Sequence, residues 1–440
     1  MSTVVDPTTP PDTVPEKVPP APLVLDEFQK LPLRELISEN ANAGLRIRTD
    51  CTRRHLVLDR ARHNLQGGGL VTGTGLLERN QDNWNLRWTA YDLRPGPDDV
   101  MVPYALIKKL SLQPGVMVEA RLRLPREREQ GLVIDEILAI ESIPVSDWKP
   151  PVEFDKLTPL FPNRRVFLET PVDPEVGARA VDLLAPIGMG QRGLIAAPPR
   201  AGKTILLQTL ARNIRKNHPK AALMLLLVDE RPEEVTDMRR ALDCEIYAST
   251  FDEPVQRHVQ ICEIVALRAQ RLVELGRDVI ILLDSITRMA RAYNNLQPGK
   301  GGRTMSGGVD AKALAKPRKF FGSARNTEEG GSLTILGTAL IETHSRMDDL
   351  IFEEFKGTGN MEIHLDRSIA EMRVFPAIQI VKTGTRREEL LLHPDEYERI
   401  VTLRRQLSEL PAAEAMEVLV SNLQHTKSNA ELLLTGLRGV

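Results

Sequence analysis

Lys203 and Thr204 are the residues of this chain to which a specific chemistry can be given first. They close the segment Ala197-Pro198-Pro199-Arg200-Ala201-Gly202-Lys203-Thr204, which follows the apolar run 193–196 and opens a helical stretch over 205–213. Strand, glycine-bearing loop and helix in that order make the P-loop layout, with Ala197 where the first glycine usually stands. Backbone N–H groups of such a loop wrap phosphate oxygens, and Gly202 allows their close approach at a helix N-terminus, where an anion is favoured. Lys203 then neutralises charge on the β- and γ-phosphates, and the Thr204 hydroxyl is a hard ligand suited to Mg²⁺. The expected ligands are therefore ATP and Mg²⁺.

Two more apolar runs end in acid. Val279-Ile280-Ile281-Leu282-Leu283 runs into Asp284, and 223–228 runs into Asp229-Glu230. A carboxylate at the end of a buried strand is costly unless it meets a cation or water. Asp284 is placed to hold the magnesium through water, and Glu230 to polarise an attacking water. Ligands of open α/β sheets bind at the carboxyl ends of the strands, where both acids fall. Two loops carry cations: 298–308, with Lys300, Arg303 and Thr304, and 342–347, with Thr343 and Arg346. In a ring ATPase, loops so placed can line a pore and grip a nucleic-acid backbone.

The elements that must position these residues show as changes of composition along 440 residues. Seven prolines within the first 22 residues predict an extended, disordered tail over 1–27. Residues 28–68 read as a small helical subdomain, with Leu33, Leu36 and Ile37 on one helix face after Pro32, and Leu56, Leu58 and Leu65 on another. Short apolar runs separated by turn signals over 69–146 read as an OB-like β-barrel, and the proline-rich 147–169 as a linker. From 170 to 440, strands apolar on both faces alternate with helices, which predicts a mostly parallel, doubly covered sheet.

The balance of 58 Lys+Arg against 60 Asp+Glu excludes polyanion binding by bulk charge. Three scattered cysteines offer no disulfide framework, and no apolar run is long enough to span a membrane. A cytoplasmic protein with no membrane contact is the expectation.

Several segments together resemble the bacterial transcription termination factor Rho family. They are Gly190-Gln191-Arg192-Gly193-Leu194-Ile195 leading into the P-loop, Val228-Asp229-Glu230-Arg231-Pro232-Glu233-Glu234-Val235-Thr236, and Ala248-Ser249-Thr250-Phe251-Asp252-Glu253-Pro254. Leu283-Asp284-Ser285-Ile286-Thr287-Arg288 and the stretch from Glu353 to Glu362 extend the match. The similarity implies an α/β, RecA-like P-loop ATPase working as a homohexamer ring, translocating 5′ to 3′ on single-stranded RNA and displacing RNA polymerase from its elongation complex. It implies an ATP-binding set of Arg200, Ala201, Gly202, Lys203, Thr204, Ile205, Arg231 and Phe375, the last stacking on adenine. Glu230, Lys203 and Arg386 become the catalytic set, with Arg386 as an arginine finger entering the neighbouring subunit's site. Lys300, Arg303 and Thr304 fall in the first pore loop, about one residue longer here, and Thr343 and Arg346 in the second, with Arg replacing the more usual Lys.

The barrel departs from the family. Where aromatic platforms stack pyrimidines, this chain has Asp82-Asn83-Trp84-Asn85-Leu86-Arg87, with Met101 at a third such position and the fourth near Gly131. Strand side chains alternate, so Trp84 and Trp88 share Leu86's face and are expected to pack in the barrel. Arg87 shares the 83/85 face and is expected to keep a phosphate contact. A weakened or altered primary RNA site follows. Two other classes remain: a RecA-type ATPase ring that moves no RNA, and a non-catalytic RNA-binding regulator.

Overall fold

A computed structural model of the chain describes residues 20–81, 83–296, 308–310 and 312–438. Two compact units divide the chain. One is Met1–Leu112 with Met117–Trp148, the other Gln113–Val116 with Lys149–Val440.

In the first unit, Val71–Asn80 pairs with Asn83–Arg87 and, through its first half, with Met117–Arg123. Asn83–Arg87 pairs with Val100–Met101, which joins Leu132–Ile140, which returns to Met117–Arg123. The ring of pairings closes, so the five strands form a barrel without a free edge among them. Gly73 makes room for its largest side chain: a Cβ there would lie 2.9 Å from the Trp88 ring, which is buried and donates its indole N–H to Asp98 O at 2.9 Å. Trp84 is buried beneath the Arg79 guanidinium, and Leu86 is fully buried, as the alternation predicts.

Two helices, Leu33–Asn42 and Arg53–Gln66, accompany the barrel, the second capped by Thr52. The first buries a narrower stripe than expected. Leu36 is buried with Asn40, whose amide donates to Leu36 O and across to Leu56 O, while Leu33 and Ile37 are exposed. The expected tail over 1–27 requires correction at its end: Leu23–Val24 pairs with Val71–Thr72, and Leu25 and Phe28 are buried. The side of Val71–Thr72 that Asn83–Arg87 does not reach, and two apolar side chains, outweigh the local prolines there. Residues 1–19 of that tail lie outside the described residues.

The second unit is built on a sheet whose order is Glu245–Thr250, Ala222–Glu230, Asp278–Asp284, Ser332–Leu340, Arg192–Ala197, Met361–His364 and Gly384–Thr385. The first six strands are parallel and the last antiparallel. Leu225, Leu282, Ile335 and Ile195 are almost completely buried, because helices such as Lys203–Asn217 and Val255–Glu274 cover the sheet. Three C-terminal helices, Pro394–Ser408, Ala412–Gln424 and Asn429–Thr435, complete the unit. The buried Arg179 ties them in by donating to Leu423 O and Thr426 O, both at 2.6 Å.

The expected linker over 147–169 is, from Phe154 on, part of this unit. Phe154, Leu157 and Leu168 are buried, Pro159–Leu160 pairs with Asn326–Thr327, and Arg165–Val166 pairs with Ile187–Gly188. A proline lacks the N–H of a central strand but is tolerated in edge pairings such as these.

Candidate functional site

The P-loop strand Arg192–Ala197 ends in a loop whose backbone turns left-handed at Arg200 (φ 65°) and Gly202 (φ 88°) before the helix Lys203–Asn217 begins. Gly202 meets that requirement without cost, and its missing side chain leaves Phe375 at van der Waals distance, 3.6 Å from where a Cβ would stand. Phe375 is half-exposed rather than a core residue. With Ala201, Ile205, Thr209 and Pro376 it lines a cavity of about 160 Å³ beside the phosphate loop. A flat aromatic wall next to a phosphate cradle suits a nucleobase. Arg200 is exposed at the loop tip.

Lys203 Nζ lies 2.5 Å from Asp284 Oδ1 and 3.5 Å from Glu230 Oε1. Glu230 and Asp284 come from the ends of the strand runs that the sequence singles out, and Lys203 from the helix start after the P-loop. Burial works against the Lys203 charge, but the two carboxylates outweigh it and the ammonium is held more firmly charged than usual. Burial, followed by the nearby Asp284 charge, pushes the Glu230 carboxyl above its ordinary range, against the pull of Lys203 and Arg288. Asp284 also accepts from Thr338 Oγ1 at 2.8 Å. A hydroxyl at Thr204, half-buried in the helix's first turn, and a fixed carboxylate at Asp284 form a hard-oxygen donor set, the kind that fits Mg²⁺.

Glu230 is aimed by a bulge. Val228 registers with Ser249 and Glu230 with Thr250, so Asp229 is one residue too many and sits at φ 56°. The extra residue shifts the alternation, turning Glu230 toward Lys203. Arg288, on the helix that follows Asp284, braces this end: its guanidinium donates to Asp229 O and lies 3.6 Å from Glu230 Oε1.

Arg386 stands elsewhere. Gly384–Thr385 runs antiparallel to Met361–His364, with Thr385 opposite Met361 and Met361 opposite Gly193 at the start of the P-loop strand. Arg386 N donates to Asn360 O at 2.9 Å, and Asn360 in turn binds Arg192 N through its side chain at 2.8 Å. The residue therefore lies at the amino ends of the parallel strands, roughly 13 Å along the strand from the P-loop. It is exposed and makes no salt bridge among the described residues. Arg231, the residue after Glu230, is exposed, with its guanidinium 3.5 Å from Glu234.

Of the loop residues, Lys300, Arg303 and Thr304 lie outside the described residues. In the second loop, Thr343 donates to the fully buried Asp348 at 2.7 Å, and Asp348 receives both Nε and Nη2 of Arg291. Thr343 thus anchors the loop, while Arg346, the first residue of the helix Arg346–Lys356, is exposed. The expected phosphate contact of Arg87 requires correction. Arg87 is 3% exposed, and its guanidinium is engaged by Glu78 and Asp99. A buried cation is tolerable only when paired, and pairing leaves it none to offer a phosphate. The sequence assigns no role to Thr338, Arg288, Asp348 and Asn360, although Arg288 and Asn360 lie in segments that carry the family resemblance.

No helix among the described residues is long and apolar enough to cross a membrane. Residues 177–384 match the nucleotide-binding domain of the ATP synthase alpha/beta family, and 73–146 match the Rho termination factor RNA-binding domain. A transcription termination factor Rho from Akkermansia muciniphila is 48% identical over 415 residues, covering 94% of this chain and 87% of that protein. One from Pseudomonas aeruginosa is 48% identical over 410 residues, covering 92% and 98%. Among solved structures, an ATPase of a type III secretion system matches with a TM-score of 0.55 at 21% identity, over 64% of this chain and 86% of that one. An ATP synthase subunit from Nanoarchaeum equitans matches with a TM-score of 0.51 at 15% identity, over 61% and 68%. These two likenesses show the RecA-like fold alone.

Proposed function

This chain belongs to the family of transcription termination factor Rho, and from that membership we propose that it is an ATP-driven translocase on single-stranded RNA that ends transcription by acting on the RNA polymerase elongation complex. It works in the cytoplasm as a homohexamer ring with ATP held between neighbouring protomers. The chain carries both a nucleotide-binding ATPase domain and a Rho-type RNA-binding domain. A secretion or rotary ATPase has no use for the second, which sets that alternative aside.

Arg200 to Ile205 hold the phosphates, with Lys203 neutralising their charge, and Phe375 stacks on the base. Arg231, at the head of the helix after Glu230, belongs to the same binding surface. Thr204 and, through water, Asp284 would hold Mg²⁺, which would supply charge neutralisation on the phosphates. Glu230 polarises the attacking water, and its carboxyl, raised by burial and by the nearby Asp284 charge, is shifted in the direction that favours taking a proton. What supports a site shared between protomers is the split of the catalytic set. Lys203, Glu230 and Asp284 converge at the carboxyl ends of the strands, while Arg386, exposed and without a salt bridge among the described residues, lies at the opposite ends. A guanidinium there cannot serve its own P-loop but is free to serve a neighbour's. The exposed Arg346, with Lys300, Arg303 and Thr304, grips the RNA backbone, and Thr343 shapes the loop.

The barrel contributes less pyrimidine stacking than is usual in the family, since Asn83 and Asn85 replace the platforms. The test of the whole reading is ATP hydrolysis with and without RNA in the wild type and in Glu230→Gln. RNA-stimulated hydrolysis in the wild type, and a loss of about 10²-fold or more in the variant, are expected. Hydrolysis unaffected by RNA, or a variant near wild-type rate, contradicts it.

A further inference from the structure

Glu230 is held in place by a bulge, and a bulge needs partners for the residue it leaves over. That residue is Asp229, whose N–H lies 3.4 Å from Ser249 Oγ on the neighbouring strand. Ser249 is fully buried and its Oγ sits 2.9 Å from His258 Nδ1. His258 is also buried, in the first turn of the helix Val255–Glu274, and its Nε2 faces back to Asp229 Oδ1 at 3.9 Å. Three residues from three elements thus form a loop that begins and ends on Asp229.

The protons can be followed round it. The Asp229 N–H takes one Ser249 lone pair, and the tautomer that also serves the Asp229 carboxylate has the serine hydroxyl donate to His258 Nδ1. His258 then carries its own proton on Nε2, the nitrogen that faces the Asp229 carboxylate. Burial holds the imidazole neutral, as this arrangement requires. On the other side of Asp229, Arg288 takes the backbone carbonyl and lies 3.4 Å from Oδ2. Among the described residues His258 makes no hydrogen bond or ion pair to the P-loop, Glu230 or Asp284, so what it does for the reaction passes through Asp229.

We propose that His258, with Ser249, is a positioning residue for ATP hydrolysis, fixing the Asp229 bulge so that the Glu230 carboxylate stays aimed at the attacking water. The proposal rests on Glu230 being the group that activates that water. A misplacement of about 1 Å in such a group can cost about 10²-fold in rate without weakening substrate binding.

The experiment measures kcat and KM for ATP in the full-length, RNA-saturated protein carrying His258→Ala, His258→Asn, His258→Gln, Ser249→Ala and Glu230→Gln, with assembly checked for each. Asn can offer a polar atom near the place of Nδ1, and Gln one near the place of Nε2. His258→Ala and Ser249→Ala are expected to lower kcat by about 10–100-fold with KM within about threefold. His258→Asn is expected to regain most of the rate and His258→Gln less, because the 2.9 Å contact is the closer one. Added to Glu230→Gln, His258→Ala is expected to cause no further loss. Wild-type kcat in an assembled His258→Ala protein overturns the proposal. So does an assembled His258→Asn protein as slow as His258→Ala, or an equal further loss in the Glu230→Gln background. Should Glu230→Gln itself hydrolyse ATP at the wild-type rate, the role of Glu230 falls and the proposal with it. An inactive Glu230→Gln beside an unimpaired His258→Ala removes the proposal alone.

Discussion

At the scale of single residues, the site is a balance of charges. Lys203 is the cation shared by Asp284 and Glu230, which are 2% and 3% exposed. Take the ammonium away and two buried carboxylates face each other, a change that typically costs about 3–5 kcal/mol. Lys203→Met is therefore expected to fail in ATP binding and also to unfold at a lower temperature without nucleotide. If charge is the cause, Lys203→Met combined with Glu230→Gln should recover stability while remaining unable to bind ATP. Thermal unfolding of the single and double variants, beside equilibrium nucleotide binding, checks both halves. A double variant no more stable than Lys203→Met would show that lost packing of the lysine stem, rather than repulsion, sets the cost.

At the scale of elements, one prediction falls in the barrel and one in the nucleotide-binding unit. Asn85 registers with Met101, so both lie on the barrel face where stacking platforms would be. Asn83→Phe with Asn85→Phe should strengthen oligo(C) binding by the full chain, at about 1–3 kcal/mol per stacked base. Fluorescence titration without nucleotide measures it, and unchanged affinity would place the pyrimidine contacts elsewhere. In the nucleotide-binding unit, Asp182 of the helix Val176–Leu184 accepts the Leu168 and Glu169 N–H groups at 3.0 and 2.7 Å and faces Arg165 at 3.6 Å. Burial pushes its carboxyl up to about 6. The folded protein thus keeps a proton that the unfolded chain, with a pKa near ~3.9, gives up. Its contribution to stability is full below the unfolded value and is lost as pH rises through about 6. Between about pH 5 and about pH 7 the wild type should lose roughly 1–2 kcal/mol more than Asp182→Asn, read from denaturant unfolding of each.

The same elements show what the chain discloses before it folds. The strands ending at Ala197, Glu230 and Asp284 were legible because they are apolar on both faces and end in chemistry. Trp84 and Trp88 were assignable from alternation alone. Alternation also put Arg87 on the outer face, but it carries no information about Asp99, a loop residue that covers it. The bulge at Asp229 was invisible for a related reason: its register is set by the partner strand, not by its own sequence. Pairing of Leu23–Val24 with the barrel was hidden in the same way.

At the scale of the whole molecule, the position of Arg386 makes a prediction that only an assembly can satisfy. An arginine finger is worth about 10³–10⁵ in rate, so Arg386→Ala and Lys203→Ala should each be nearly inactive on their own. Their defects differ in kind. The Lys203→Ala protomer has no working P-loop but carries an intact Arg386, and the Arg386→Ala protomer is the reverse. If each site draws its finger from the next subunit, an interface between the P-loop of one variant and the arginine of the other is complete. Random co-assembly at equal amounts makes about a quarter of the interfaces complete in a closed ring. Mixing and reassembling the two inactive proteins should then restore RNA-stimulated hydrolysis, up to about that fraction if the sites act independently. If Arg386 instead swung round to its own P-loop, every site would lack one group or the other and the mixture would stay as inactive as its parts. The geometry favours restoration, since the strand that carries Arg386 ends where the P-loop strand begins.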